Sequence, residues 1–184
     1  MPFDREQFAS ECVALLAESD PQAAITEHLA RAVSDAPAVL KEMGEPAEAG
    51  FDVILATPQL TIFAAKWAPN MTLVPHNHLM WASIGMYTGR EDNIFWKRRA
   101  EGGLTAGGAK ALFPGDVTSM PADVIHSVNN PLPRFAGGIH IYGGDFFNTE
   151  RSLWNAETLA EEPSNGEIVR AMFARENERL RRRV

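Results

Sequence analysis

The chain has 184 residues, 45% of them hydrophobic, and a formal net charge of −7. That size and apolar content suit one domain, residues 1–184, with a sizeable core. The acidic balance argues against nucleic-acid binding. A single cysteine, Cys12, excludes an intramolecular disulfide framework and fits a reducing cytosol. The N-terminus lacks the basic and apolar regions of a signal peptide, and no apolar run approaches the ~18 residues of a membrane span. The expectation is a cytoplasmic protein with neither a nucleic-acid nor a membrane partner. Homo-oligomer formation is compatible with the sequence.

Residues 1–48 read as a helical region. Phe3, Phe8, Val13, Leu15 and Leu16 suit an amphipathic helix over 3–18, with Cys12 inside it as a small buried hydrophobe. Asp20-Pro21 starts a second helix, as N-cap and first-turn proline, with Ile25, Leu29 and Val33 on one face. His28 lies beside that stripe and reads as a helix-surface residue. A short third helix covers 36–43 and stops at Gly44.

From residue 50 to 145 the text changes to short apolar runs broken by Pro, Gly, Asn and Asp. The predicted strands are 51–56, 60–67, 72–78, 81–88, 93–98, 110–113, 117–120, 126–129 and 134–142. Turns are expected at 87–91 and 113–116. This pattern indicates a β-sandwich or barrel. Met80, Trp81 and Trp96 read as ordinary barrel core. Residues 146–184 return to polar, helix-like text and close with a helix over 166–183. Its basic end, Arg179 to Arg183, suits the helix dipole.

The chemistry concentrates in three histidines. His76 and His78 are two apart on a predicted strand, so both imidazoles point to one face. His126 lies on another strand and can complete a facial triad. Such a triad leaves half of an octahedral metal open to substrate and oxygen.

These stretches resemble the paired motifs of the cupin superfamily, G-x5-H-x-H-x3,4-E-x6-G and G-x5-P-x-G-x2-H-x3-N. Gly115, Pro121, His126 and Asn130 keep the second spacing, and Asp123 stands at its middle glycine. His76, His78 and Gly89 keep the first. The positions of its acid are Ala82 and Ser83. The resemblance implies a mainly β double-stranded β-helix, a jelly roll, with N-terminal helices and a C-terminal helix. It also implies Fe(II) held by His76, His78 and His126, although nickel, zinc or manganese remain open. Three neutral imidazoles leave the full 2+ charge on the ion, which favours an anionic chelating substrate. Glu91, in the turn after the first motif, reads as a surface residue. Two site roles stay open for it, as a distant ligand or as an acceptor orienting an imidazole.

Gly138-Ile139-His140-Ile141-Tyr142 alternates, so Gly138, His140 and Tyr142 share a face. The stretch resembles the Ser-x-His-x-Tyr run of cysteine dioxygenase and related thiol dioxygenases. That resemblance implies an oxidoreductase with a hydrogen-bonded relay beside the iron, Tyr142 facing substrate or O2 and His140 holding it. The relay serine is Gly138 here. The cysteine that cross-links the tyrosine in some members falls at Ser83. The carboxylate-clamping arginine has no counterpart on the early strands, and Lys66 and Arg134 are the candidates to replace it. The expected function is therefore an Fe(II)-dependent dioxygenase using O2 and a small-molecule substrate, such as cysteine or a mercapto acid. The alternatives are a β-diketone or other C–C-cleaving dioxygenase, and a non-catalytic metal- or small-ligand-binding cupin.

Overall fold

The structure is a computed structural model that describes residues 2–182. Met1, Arg183 and Val184, and with them the end of the basic run, lie outside the described residues. Three helices come first: α1 (Arg5–Leu15), α2 (Pro21–Val33) and α3 (Ala36–Met43). Each starts at an aspartate whose carboxylate accepts a free backbone N–H of the first turn. Gly44 follows α3 at φ 77°, as the expected stop requires. Ile25, Leu29 and Val33 of α2 are fully buried.

Eleven strands follow: β1 (Gly50–Ala56), β2 (Thr61–Trp67), β3 (Thr72–Asn77), β4 (Ala82–Thr88), β5 (Glu91–Arg98), β6 (Leu104–Leu112), β7 (Val117–Met120), β8 (Ile125–Asn129), β9 (Ala136–Tyr142), β10 (Arg151–Trp154) and β11 (Glu161–Ser164). Helix α4 (Gly166–Arg181) closes the chain. One sheet has the order β1-β2-β9-β4-β7, the other β11-β10-β3-β8-β5-β6. Within them lie two four-stranded sets, β2-β9-β4-β7 and β3-β8-β5-β6, and all pairings are antiparallel. This is the eight-stranded jelly roll, the double-stranded β-helix of cupins.

Strand β2 is apolar from Ile62 to Ala65 because both of its faces are covered there. Phe63, Ala65 and Trp67 point between the sheets, while Ile62 and Ala64 pack under the N-terminal helices. Helix α4 inserts Phe173 beside Trp67 and Phe51, with ring centroids 5.0 and 4.6 Å apart. Motif glycines Gly89 and Gly115 both adopt left-handed backbone, at φ 76° and 94°. A side chain at Gly89 would also collide with Ala136, at 2.5 Å. Asn130 pins a loop by donating to the carbonyls of Ala68 and Arg134, at 2.9 Å each, and accepting from Leu132 N.

Three expectations need correction. Strand β6 runs Leu104–Leu112, although its first half, Leu-Thr-Ala-Gly-Gly-Ala, has little intrinsic strand character; pairing along the whole of β5 imposes it. The polar text after 146 holds strands β10 and β11, each four residues, too short to show a period. Strand β5 begins at Glu91 rather than Asn93, which moves Glu91 from the turn into the sheet.

Candidate metal centre

His76 lies on β3, His78 one residue beyond its end, and His126 on β8. His76 and His126 are direct partners across the β3–β8 pair. The register slips between Leu73 and His76, at Val74-Pro75. Proline cannot donate to the ladder, and the bulge turns both Leu73 and His76 to the interior. All three rings are buried.

Their Nε2 atoms converge. His78 Nε2 is 3.2 Å from His76 Nε2 and 3.1 Å from His126 Nε2. Cis ligands about 2.1 Å from an octahedral ion are about 3.0 Å apart, close to this spacing. Two tautomers follow from partners that only accept. Val74 O lies 3.0 Å from His76 Nδ1, and Asn93 Oδ1 lies 2.6 Å from His126 Nδ1. Both Nδ1 atoms therefore carry the proton, and both Nε2 lone pairs face the centre. A proton on His78 Nε2 could satisfy one of them, whereas a cation satisfies all three. Burial holds the rings neutral: His76 is pushed down to about 4, and His78 and His126 well below the ordinary range, with neighbouring imidazoles adding to it. The three residues fit a divalent metal.

The facing sheet brings His140 and Tyr142 of β9 over this cluster. The Tyr142 ring lies edge-on to His78, 4.9 Å between centroids. Its hydroxyl is 3.1 Å from His140 Nδ1. On the other side, His140 Nε2 is 3.1 Å from Glu91 Oε2. The surface reading of Glu91 is thus overturned: it is 0% exposed. It lies outside the histidine cluster and accepts from Trp67 Nε1 at 2.8 Å and Asn93 Nδ2 at 3.0 Å. Burial alone would raise its pKa, but His140 and three hydrogen bonds hold it below the ordinary carboxylate value. A relay serine at Gly138 would bring its Cβ to 2.7 Å from Met86 Sδ, so the Met86 side chain would have to shift to admit it.

The expected replacements for the carboxylate clamp do not reach the site. Lys66 lies 3.7 Å from Asp52, and Arg134 is exposed. A cation that the sequence reading missed is Arg151, 5% exposed. It sits on β10, two residues before Leu153, the direct partner of His76. Its guanidinium stacks 4.2 Å from the Phe146 ring centroid, and Phe146 in turn packs 4.4 Å from Tyr142. Nη1 donates to Phe146 O and Thr149 O, while Nε and Nη2 have no partner among the described residues. A cavity of about 10 Å³ lies between His76, His126, His140, Tyr142 and Phe146.

Other expectations resolve simply. His28 is remote from the cluster, stacked 4.8 Å from Phe8 with Nε2 3.2 Å from Glu11. Cys12 is fully buried, and burial pushes its thiol up to about 12. Met80 is core, and Trp96 donates to Ser127 at 3.0 Å. No helix among the described residues is long and apolar enough to cross a membrane.

A jelly roll enclosing a three-histidine cluster is the class that fold and site define. No family model matches the chain. Solved structures of similar shape include a double-stranded β-helix protein from Klebsiella pneumoniae, 15% identical over 60% of this chain and 82% of that one, TM-score 0.46. A cupin superfamily protein from Desulfitobacterium hafniense is 14% identical over 55% and 83%, TM-score 0.45. KdgF from Halomonas sp. is 17% identical over 50% and 76%, TM-score 0.41. At this level of likeness the fold rests on the strand order itself.

Proposed function

We propose that the chain is a mononuclear, three-histidine Fe(II) dioxygenase whose substrate is a small thiol bearing a carboxylate. The observation that carries this reading is the pairing of a buried, neutral His76–His78–His126 face with a buried guanidinium, Arg151, that has two free donors. The reaction is R–SH + O2 → R–SO2H, which balances without an external reductant. When bound, the ion supplies the redox chemistry that joins O2 to a sulfur donor.

The protein residues do the rest. His76, His78 and His126 contribute no charge, so a thiolate is favoured on the open face. Arg151 stands behind Phe146, outside the cavity lining, and in this reading its Nε and Nη2 take the carboxylate once Phe146 moves, fixing the orientation of the thiol. Tyr142, held by His140, lines the cavity beside His76 and His126, and its hydroxyl can donate or receive a proton there. The core around Phe63, Phe146 and Trp67 excludes water. The cavity has room for about one water, so substrate enters only when lining side chains move. A charged clamp favours a carboxylate substrate over a neutral diketone.

Oxygen uptake by the iron-loaded protein tests the proposal. Mercapto acids and cysteine should consume O2 and yield the sulfinate in equal amounts. A thiol lacking a carboxylate, and a 1,3-diketone, should be poor substrates. Full iron loading with no uptake on any thiol would overturn the thiol reading; uptake on the diketone would then favour C–C cleavage, and none on either would favour the non-catalytic reading.

A further inference from the structure

Glu91 joins the histidine cluster, through Asn93, to Tyr142, through His140. It stands on β5, in the sheet that carries the histidine cluster, yet it reaches Trp67 and His140 of the facing sheet. Its Oε2 takes the Trp67 and His140 contacts, and its Oε1 takes the Asn93 amide. An ionised carboxylate only accepts hydrogen bonds. Every neighbour must therefore turn a donor toward it, and that choice propagates outward.

In one arm, Asn93 must turn its NH2 to Glu91. Its carbonyl then faces His126 Nδ1, 2.6 Å away, which must carry a proton. The Nε2 lone pair is thereby directed at the cluster. In the other arm, His140 must turn an Nε2–H to Glu91, so Nδ1 faces the Tyr142 hydroxyl at 3.1 Å. We infer that Glu91 is a positioning residue that sets the proton direction of both arms at once, making His126 an Nδ1–H ligand and His140 an Nε2–H partner of Tyr142. The His126 half rests on the metal reading above; the His140 half stands on the hydrogen bonds alone.

A buried acid that merely ties the sheets together would contribute stability without dictating ring tautomers. Glu91→Gln separates the two roles. Glutamine keeps the shape but has one acceptor oxygen and a new NH2, so it cannot serve Trp67, His140 and Asn93 together. At least one arm must reverse.

The experiment uses the metal-free full chain with 15N-labelled histidine and reads which ring nitrogens carry protons. Wild type should show protons on His126 Nδ1 and His140 Nε2. In Glu91→Gln, one of these rings should exchange its protonated nitrogen, and where that ring is His126 zinc(II) affinity should fall about 10–100-fold although residue 91 touches no metal. Trp67→Phe removes one donor and leaves the acceptor in place, so both ring patterns should persist. A wild-type His140 protonated on Nδ1 alone, or His126 on Nε2 alone, overturns the inference even if the variant fails to fold. A folded Glu91→Gln with unchanged ring patterns and unchanged zinc affinity also overturns it. Neither readout uses turnover, so failure of the dioxygenase proposal is distinguishable. A wild type that binds no zinc removes the metal reading, while the His140 pattern still decides its own arm.

Discussion

Ala82 lies directly opposite Tyr142 across the β4–β9 pair. Ser83, the position expected to face the tyrosine, instead pairs with Ile141 and hydrogen-bonds Thr26 on α2 at 2.6 Å. The inward position beside the phenol is thus a methyl group, and Cys12, the only cysteine, is buried among the N-terminal helices. No thioether can form, and the Tyr142 hydroxyl keeps its proton. Burial, reinforced by Glu91, pushes its pKa above the ordinary tyrosine value.

Tyr142→Phe removes that hydroxyl and keeps the ring. Folding and metal content should match wild type. Turnover of a competent thiol should fall by roughly 10- to 10⁴-fold, the range for a lost acid–base or electrostatic group. His140→Gln should act in the same direction, and the double variant should be less than additive. Rates compared at equal iron content check this. Full activity in Tyr142→Phe would reduce this strand to core packing.

Removing any one of His76, His78 or His126 should abolish tight metal binding, a larger loss than the ~10–100-fold typical of an outer hydrogen-bond partner. His28→Ala should leave metal content unchanged, because its ring stacks on Phe8 away from the cluster. Metal analysis of the purified variants decides it. An alanine variant at His126 with full loading would sink the triad.

The histidines were legible because strand alternation puts His76 and His78 on one face, and because Gly89 and Gly115 mark turns that demand left-handed backbone. The bulge at Val74-Pro75 was not legible, although it aims His76 inward. Glu91 was misread because an acid just after Gly89-Arg90 has the composition of a turn. Its burial depends on donors from β2, β5 and β9, which only the folded register brings together. Arg151 was missed for another reason. Strand β10 is four residues long, and its place beside β3 depends on pairing with a strand more than seventy residues earlier.

The metal-free chain should lose stability as pH falls from 6.5 toward 4. The three buried rings have folded pKa values below the ordinary 6.5, with His76 at about 4. The unfolded chain therefore binds more protons in that window, and acid favours it. The slope should approach ~1.4 kcal/mol per pH unit for each ring that protonates only on unfolding. Glu91, whose pKa is depressed, stabilises the fold above the ordinary carboxylate value, and that contribution is lost at lower pH still. Urea midpoints between pH 7 and 5 measure the slope. A flat profile would mean that the rings protonate freely in the folded chain.

Arg151→Met tests the carboxylate clamp and separates it from a structural role. Wild-type Arg151 is a buried cation that forms no ion pair with a carboxylate among the described residues, and burial lowers its pKa. Methionine preserves an apolar stem against Phe146 and removes the uncompensated charge. The thermal midpoint of the metal-free chain should change little, the relief of a buried charge offsetting the donor withdrawn from Phe146 O and Thr149 O. Substrate use, by contrast, should fall. Hydrogen bonds to a charged group contribute about 1.5–3 kcal/mol, so KM for a mercapto acid should rise about 10- to 150-fold. KM for the same thiol without its carboxylate should barely change, because it never used the guanidinium. Arg151→Lys should recover only part of the loss, as a point charge cannot form the paired N–H contacts of a guanidinium. Equal losses with both thiols would assign Arg151 to the shape of the site, and the carboxylate would need another partner.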